Sequence, residues 1–279
     1  MAPAPHRMTG VALITGAASG IGRATAHTFV KEGCTRLVVA DINLDGLKAL
    51  AEELKSLDDS VQTCLVGCDV SIEADVERMV DSGVEAFGAI HYAVNNAGVS
   101  GKPRLRTHEL EVESYDRVQN IDLRGVWLCE RAELRQFLKQ EFTLKPRSGT
   151  PAQRGAIVNI SSIFGRVSHP LVGGYAAAKA GVLGISRTDA VGYGKDGIRV
   201  NSVCPGYIKT PREISFRPVV ELAIRNGTYP ADVYKASPMD RWGSPEELAE
   251  AVVFLASEKA SWINGEELIV DGGSIVSSG

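Results

Sequence analysis

The segment Val11–Gly22, VALITGAASGIG, decides the fold of this chain. Its first part, VALIT, is apolar and suits a buried strand, and the glycine-rich turn leads into a stretch, 21–32, with the apolar spacing of a helix. Glycine allows positive φ values and close approach of other groups to the backbone. The first turn of a helix also presents unpaired N–H groups that attract anions such as phosphate. The sequence therefore predicts a strand, a phosphate-binding turn and a helix in succession.

The alternation of strand and helix continues outward from this segment through most of the chain. Further strands are predicted at 36–40, 61–67, 91–94, 156–160, 198–203 and 267–270, and further helices at 44–57, 71–87, 114–140, 174–193 and 245–256. Several strands are apolar without interruption, as in a sheet covered on both faces. The pattern indicates the α/β fold class: a single doubly wound domain, residues 1–279, with a central parallel sheet of about seven strands flanked by helices.

Three details of this prediction concern particular segments. Ser71 is expected to cap the third helix, because a serine side chain readily accepts a hydrogen bond from the first turn. The stretch 114–140 is expected to form a long helix. The segment 208–242 contains four prolines and interrupts the alternation, which predicts a lid-like insertion at the substrate end of a binding site.

The composition excludes several classes of protein. The chain has 279 residues, of which 44% are hydrophobic and 23% charged, and 30 basic against 34 acidic residues give a formal net charge of −4. A disordered chain would have fewer apolar residues and a larger net charge. A nucleic-acid-binding protein would normally have a basic excess, so no nucleic-acid partner is expected.

Cysteine usage and hydropathy bear on the location of the protein. The five cysteines are scattered, and none has a partner at the spacing of a zinc site, so we expect no metal and a reducing compartment. No stretch approaches the roughly 18 consecutive apolar residues of a membrane span, and the amino terminus lacks the apolar region of a signal peptide. The prediction is a cytoplasmic protein without a membrane partner.

An acidic residue at the end of the second strand indicates the nature of the ligand. Asp41 lies 19 residues after the last glycine of the turn, where a carboxylate can accept hydrogen bonds from the ribose hydroxyls of NAD. The same charge would repel the 2′-phosphate of NADP, and the nearby positions hold the uncharged Ser19, Ile42 and Asn43. Arg23 is expected to lie exposed within the first helix. NAD is therefore the predicted cofactor, and a plain turn residue before Asn43 is the alternative role of Asp41.

A second group of residues predicts acid–base chemistry. Tyr175 and Lys179 stand four apart in YAAAK and share one face of a helix. A free tyrosine is a poor acid or base at neutral pH, and an ammonium group within a few ångströms stabilises the phenolate form. Ser162 lies 13 residues before Tyr175, where its hydroxyl can bond an oxygen on which charge changes during hydride transfer. We predict that these three residues are catalytic.

Together with the glycine turn, these motifs give the chain a resemblance to a known family. TGAASGIG, CDV, NNAG, NISS, YAAAK and PGYIKT occur in the order in which the short-chain dehydrogenase/reductase family has them, and they span nearly the whole chain. The resemblance implies a Rossmann-type domain, a nicotinamide cofactor, and a second role for Lys179 as a ligand of the nicotinamide ribose. It also implies a homotetramer or a homodimer.

The resemblance further assigns residues to the cofactor. The segment 69–70 would lie beside the adenine, Asn95 and Asn96 would line the cofactor from the loop after the fourth strand, and Ile208 and Thr210 would lie near the carboxamide. The complete predicted cofactor site is Gly16, Ser19, Gly20, Ile21, Gly22, Asp41, Ile42, Asp69, Val70, Asn95, Asn96, Gly98, Tyr175, Lys179, Pro205, Gly206, Ile208 and Thr210. Its glycines are expected where the cofactor comes close to the backbone.

One residue departs from the family pattern. The family usually has an asparagine three residues before a glycine in the fifth helix, where it helps to hold a water that relays protons to the lysine. Here the segment reads NIDLRGVW, and Asp122 occupies that position, so it joins the catalytic candidates. Its charge would favour a protonated Lys179 and alter the relay. Alternatively, its backbone does the same work as that of the asparagine.

The function predicted from these residues is oxidoreduction with NAD(H). The substrate would be a small-to-medium organic molecule that is interconverted between a secondary alcohol and a ketone, with biosynthetic or secondary metabolism as one setting. Two alternatives stay open: an isomerase or cyclase of the same fold without net redox, and a non-catalytic NAD-binding protein.

Overall fold

The computed structural model describes residues 8–101, 104–146, 148–211 and 237–276. Its strands are β1 (Val11–Thr15), β2 (Arg36–Asp41), β3 (Gln62–Gly67), β4 (Tyr92–Asn95), β5 (Gly155–Ile160), β6 (Ile198–Pro205) and β7 (Glu267–Val270). They form one parallel sheet in the order β3-β2-β1-β4-β5-β6-β7. The predicted doubly wound α/β class is confirmed.

Helices cover both faces of this sheet. They are α1 (Gly20–Lys31), α2 (Leu44–Leu57), α3 (Glu73–Phe87), α4 (Val112–Val118), α5 (Gly125–Phe137), α6 (Gly173–Tyr193) and α7 (Pro245–Ala256). One core cluster joins α1, α2 and α7 to the sheet, with Phe29 and Leu50 fully buried. A second cluster on the other face includes Met79 of α3 and Phe137 of α5, also fully buried. Each such side chain stabilises the fold by about 1.5–3 kcal/mol.

The beginning of α3 differs from the prediction. Ser71 is not its cap: the helix begins at Glu73 after Ile72, and no side chain caps it. The Ser71 hydroxyl donates instead to Asp69 Oδ1 at 2.7 Å, and the Ser71 N–H donates to the same oxygen at 2.9 Å. This local turn competes with helix formation, which is why the helix starts later.

The predicted long helix 114–140 is present over residues 112–137, but it is not regular. A single π-helical turn, Gln119–Arg124, lies between α4 and α5, and the backbone stays helical through both junctions. Such a turn re-aims the side chains within it, and here it buries Asp122 completely. The absence of a side chain at Gly125 is needed beside this turn, because a Cβ there would lie 2.9 Å from Val70. The π turn therefore places a carboxylate under the carboxyl edge of the sheet.

The strand order reverses between β1 and β4, and in doubly wound sheets the ligand crevice lies at such a point. Two loops meet there. The Asn96 amide donates to the carbonyl oxygens of Thr15 at 3.0 Å and Gly16 at 3.1 Å, and the Thr15 hydroxyl accepts from the backbone N–H groups of Asn96 and Ala97. The loop after β4 is thereby tied to the glycine turn after β1.

Most of the predicted insertion 208–242 lies outside the described residues, which omit 212–236. Its two ends are joined. Lys209 N–H donates to Gly243 O at 2.9 Å, and Gly243 N–H donates to Tyr207 O at 3.0 Å. The ends therefore leave the sheet side by side next to the crevice.

Candidate active site

A cleft of about 450 Å³ opens at the carboxyl ends of the strands. It brings together most of the residues that the sequence predicted: Gly16, Ser19, Gly20, Ile21, Asp41, Ile42, Asp69, Val70, Asn96, Gly98, Ser162, Tyr175, Lys179, Pro205, Gly206, Ile208 and Thr210. Three predicted residues do not line it, namely Gly22, Asn95 and Asp122. Each of the three is explained by a contact within the chain.

The glycine turn has the form expected of a phosphate site, but its glycines serve the chain itself more than a ligand. A Cβ at Gly22 would lie 2.2 Å from Gly16 O, and a Cβ at Gly16, where φ is +65°, would lie 2.8 Å from the Asn96 amide. At Gly206 the close neighbour is Asp271, at 2.7 Å. These glycines are therefore needed for packing within the chain, and the expectation that they also make room for the cofactor stays a prediction. Gly20 fits it better, because only Thr210 comes within 4 Å of a Cβ there.

The amino terminus of α1 points into the cleft. Ser19, Gly20 and Ile21 all line it, and the Ser19 side chain makes no capping hydrogen bond to the helix. The unpaired N–H groups and the positive end of the helix dipole suit a pyrophosphate. The residues present therefore fit a dinucleotide.

Asp41 lies at the end of β2 in the same cleft. Its Oδ2 accepts a hydrogen bond from Ala18 N–H at 3.0 Å, and its Oδ1 accepts one from Asn43 N–H at 2.9 Å. Each carboxylate oxygen can accept further bonds, so the side chain is oriented and still able to bind ribose hydroxyls.

Arg23 does not lie free on the surface as predicted. Its guanidinium is partly buried and ion-paired with Glu53 on α2, and Nη1 donates to Ala18 O at 3.3 Å. Desolvation of the exposed Glu53 carboxyl raises its pKa, but the hydrogen bonds and positive charges of Arg23 and His27 outweigh this effect. The pKa of Glu53 is therefore below its usual value. The basic side chain nearest to the glycine turn in the sequence is thus already engaged.

The predicted catalytic residues meet on one wall of the cleft. Lys179 is buried and donates a hydrogen bond from Nζ to Ile160 O at 3.0 Å. The half-buried Tyr175 lies one turn earlier on α6, with its ring centre 5.6 Å from Lys179 Nζ. Ser162 follows β5, and its Oγ accepts from Phe164 N–H at 3.1 Å, which leaves the hydroxyl hydrogen available. A phenol, an ammonium group and a hydroxyl therefore line the same cavity.

Asp122 contacts this wall from behind. Its Oδ2 lies 3.2 Å from Lys179 Nζ, and both side chains are at least 95% buried, with exposures of 0% and 5%. Its Oδ1 accepts a hydrogen bond from Val99 N–H at 2.7 Å. The sequence anticipated the effect of its charge on the lysine but not this direct contact.

Asn95 belongs to a buried polar network beneath the cleft. It is the last residue of β4 rather than part of the loop, and its amide donates to Glu133 Oε2 and to Asn159 Oδ1, both at 3.0 Å. Asn159 donates in turn to Glu130 Oε2 at 2.9 Å and Ser186 Oγ at 2.8 Å. Burial, reinforced by Asp189, raises the pKa of Glu130 well above its usual range. The network fastens α5 to the sheet.

The network predicts a stability that depends on pH. Burial raises the pKa of Glu133 from the ordinary 4.5 to about 8, so between these values the folded state keeps a proton that the unfolded state releases. Stability therefore falls as pH rises through this window. Glu133→Gln, which stays neutral, should raise the free energy of unfolding by roughly 3 kcal/mol at pH 7 and leave it unchanged near pH 4.

Urea unfolding of the wild type and of Glu133→Gln across this pH range measures the difference. Glu77→Gln provides a control, since Glu77 lies half exposed on α3 and only faces Arg135 at 3.5 Å. A gain that is the same at every pH would contradict the prediction.

The substrate end of the cleft carries aromatic side chains that the motifs did not single out. Phe164 and Tyr207 line it and meet edge to face with ring centres 6.2 Å apart, and Trp242 lies 6.0 Å beyond Tyr207. The His169 ring is tilted by 54° against Phe164, with ring centres 5.3 Å apart, and His169 does not line the cavity. Other lining residues outside the motifs are Val99, Ser100, Gly101, Arg104, Arg117, Ile121, Val172 and Pro211.

Two kinds of feature are absent from the described residues. No group of three or more His, Cys, Asp or Glu side chains in the described ranges could hold a metal ion. None of the helices among those residues has the length and apolar character of a membrane span.

The chain is similar to known enzymes over nearly its whole length. A family model described as enoyl-(acyl carrier protein) reductase matches residues 16–274. Cis-4-hydroxycyclohexanecarboxylate dehydrogenase of Sinomonas cyclohexanicum is 39% identical over 94% of this chain and 95% of its own. Cyclohexanol dehydrogenase of Acinetobacter sp. (strain SE19) is 37% identical over 94% of this chain and 93% of its own.

A solved structure agrees. The crystal structure of a short-chain type dehydrogenase/reductase from Mycobacterium marinum superposes with a TM-score of 0.82 at 29% identity, covering 97% of each chain. Together with the family model, the relatives and the motifs gathered in one cleft, this similarity shows that the chain belongs to the short-chain dehydrogenase/reductase family.

Proposed function

We propose that this oxidoreductase interconverts a secondary alcohol and a ketone with NAD(H). The chain acts on alcohol and ketone groups and uses a nicotinamide cofactor, as its dehydrogenase relatives indicate. One observation carries the finer proposal. The cleft that holds Ser162, Tyr175 and Lys179 also holds the glycine turn and Asp41, so one bound dinucleotide could reach from the second strand to the catalytic wall.

The proposed mechanism divides the work between cofactor and chain. Bound NAD would supply the hydride acceptor in alcohol oxidation. The Tyr175 phenolate takes the hydroxyl proton, while the Ser162 hydroxyl donates a hydrogen bond to the same oxygen and steadies its changing charge. The Lys179 ammonium stabilises the phenolate from one helical turn away. In ketone reduction Tyr175 returns the proton to the oxygen.

The choice of NAD rests on Asp41, and it can be tested there. Asp41→Asn removes the charge that would favour ribose hydroxyls and oppose a 2′-phosphate. Hydrogen bonds to a charged group are worth about 1.5–3 kcal/mol, so the ratio of kcat/KM with NAD to kcat/KM with NADP should fall roughly 10- to 100-fold.

Steady-state kinetics with both cofactors measures this ratio. Asp45→Asn is the matched control, because Asp45 is exposed on α2 and pairs only with Lys48 among the described residues. A wild type that prefers NADP, or a ratio unmoved in Asp41→Asn, would show that another residue selects the cofactor.

For the substrate we propose an alcohol on a saturated ring. The relatives named above act on hydroxylated cyclohexanes, and the aromatic pair Phe164 and Tyr207 offers flat apolar surface beside the catalytic wall. A panel of cyclic and open-chain alcohols and ketones, assayed with NAD and NADP, tests substrate class and redox function together. Faster turnover of open-chain substrates would contradict the ring proposal.

The two alternatives make different predictions in the same assay. An isomerase or cyclase would convert a substrate without net change in NADH absorbance, and a binding protein would bind NAD tightly and turn over nothing. Three further predictions remain: that 208–242 acts as a lid, that the protein is a homotetramer or a homodimer, and that it is cytoplasmic. Light scattering would measure the oligomeric state.

A further inference from the structure

The buried carboxylate behind the catalytic wall is the most unusual feature of this site. Asp122 Oδ2 makes no hydrogen bond among the described residues, and its contact with Lys179 Nζ at 3.2 Å is an ion pair. On its other side the lysine gives one N–H to Ile160 O at 3.0 Å. An ammonium group has three donors, so the remaining N–H groups are left for the cleft. The lysine is held between a neutral and a charged acceptor.

The second carboxylate oxygen fastens the loop that lines the cleft. Asp122 Oδ1 accepts from Val99 N–H at 2.7 Å, and a Cβ at Gly98 would lie only 3.2 Å from Oδ2. An asparagine could accept the Val99 bond equally well through its amide oxygen. What distinguishes aspartate at this position is therefore its charge, not its ability to shape the loop.

The charge acts at short range and with little screening by water, because both side chains are buried. Other ionisable groups on the neighbouring segments include Tyr175, Cys68, Asp69, Arg117 and Arg124. Glu113, Tyr115 and Asp116 on α4 are exposed, and Glu130 and Glu133 on α5 belong to the buried network of Asn95 and Asn159. Asp69 and Arg124 both bond Ser71 instead, and Arg117 is exposed. Asp122 is thus the negative group in direct contact with the lysine.

We propose that Asp122 is a positioning residue whose negative charge holds Lys179 as an ammonium ion and raises the pH at which the catalytic tyrosine loses its proton. The inference rests on the proposed function of Tyr175 and Lys179. Its sign follows from charge alone. Loss of a proton makes the cluster more negative, and a fixed negative charge opposes that loss. Removal of the charge, with Lys179 still protonated, makes the phenolate form at lower pH.

The experiment compares Asp122→Asn, which keeps the Val99 bond and loses the charge, with Asp122→Ala, which loses both. The ultraviolet absorption of tyrosinate is titrated in the full-length protein, and the step that belongs to Tyr175 is identified by its loss in Tyr175→Phe made in each background. The step should move to lower pH by about one to three units in Asp122→Asn. Glu77→Gln, the same charge change on the exposed face of α3, should leave it in place.

A purely structural role would give a different pattern. Asp122→Ala would then unfold at lower temperature while Asp122→Asn titrates like the wild type, and that result would overturn the proposal, as would a step that is absent or moves to higher pH. The titration needs no turnover, so a wild type without dehydrogenase activity would contradict the proposed function and leave this result readable. With an active enzyme, the acidic limb of kcat/KM for cyclohexanol should move with the tyrosinate step.

Discussion

Tyr175→Phe should lower kcat for alcohol oxidation by about 10³-fold, because proton transfer by a positioned side chain contributes roughly 10²–10⁴-fold. The change removes one hydroxyl from a half-buried ring that lines the cleft, and it leaves the ring 5.6 Å from Lys179 Nζ. The dinucleotide-binding parts of the cleft, the turn before α1 and Asp41, are untouched. Binding of NAD should therefore stay within about threefold while turnover collapses.

The matched control is Tyr115→Phe. Tyr115 lies on α4 with 41% of its surface exposed, and its ring packs close to Gly174, beside Tyr175 in the chain, yet it does not line the cleft. The same hydroxyl deletion there should leave kcat within about twofold. Near-full turnover by Tyr175→Phe, with the control equally active, would remove Tyr175 from the mechanism. Equal losses in both variants would point to the packing of α4 on α6 instead.

The parts of this molecule that were predictable are those set by local spacing. Leu47, Leu50 and Leu54 recur at helical intervals and are fully buried on α2, although the next residue in that series, Leu57, is 51% exposed at the end of the helix. Motif spacing likewise predicted that Ser162, Tyr175 and Lys179, the proposed catalytic residues, lie together, because each follows or faces the carboxyl end of a strand, and all such ends meet at one edge of the sheet.

The parts that were not predictable depend on contacts between distant segments. The π turn that buries Asp122 has no local signature in NIDLRGVW, and its effect arises only when α6 brings Lys179 across. The packing role of Gly22 was not predicted for a different reason. Glycine at a turn is compatible with ligand approach and with chain packing alike, and the structure shows Gly16 O occupying the space beside Gly22. Local sequence does not distinguish these roles, because the approach of Gly16 O depends on the path of the turn in three dimensions.

Arg199, a buried residue outside the sequence motifs, should contribute strongly to stability. Arg199 on β6 is only 4% exposed, and its guanidinium caps the carboxyl end of α7 by donating to the carbonyl oxygens of Leu255 at 2.7 Å, Ala256 at 3.1 Å and Ser257 at 2.9 Å. Its Nε donates to Gln153 at 2.9 Å. Burial lowers the pKa of Arg199 to about 10, while nearby Glu258 opposes that shift, so the side chain stays charged at neutral pH.

Arg199→Met should therefore lower the free energy of unfolding by about 3–5 kcal/mol, a large share of the 5–15 kcal/mol typical of folded proteins. Methionine fills similar space but leaves the last carbonyls of α7 without their donor and the buried Glu258 without its nearby cation. Arg199→Lys keeps the charge but loses the planar set of donors of the guanidinium group. Its free energy of unfolding should therefore lie between those of the wild type and Arg199→Met. Arg135→Met is the control. Arg135 is exposed, and its ion pair with Glu77 at 3.5 Å should contribute less than about 1 kcal/mol to the free energy of unfolding.

Urea unfolding monitored by tryptophan fluorescence measures all three variants. A methionine variant too unstable to accumulate would agree with the expected direction, and the lysine variant then supplies the number. The conclusion would be reversed if Arg199→Met were as stable as Arg135→Met, because the carbonyl ends of α7 would then be satisfied without the guanidinium. The attachment of α7 would in that case rest on its apolar packing against α1 and the sheet. The cap matters beyond α7 itself, since Glu258 also accepts a hydrogen bond from the Tyr92 hydroxyl at 2.7 Å, and Tyr92 opens the strand that ends beside the catalytic cleft.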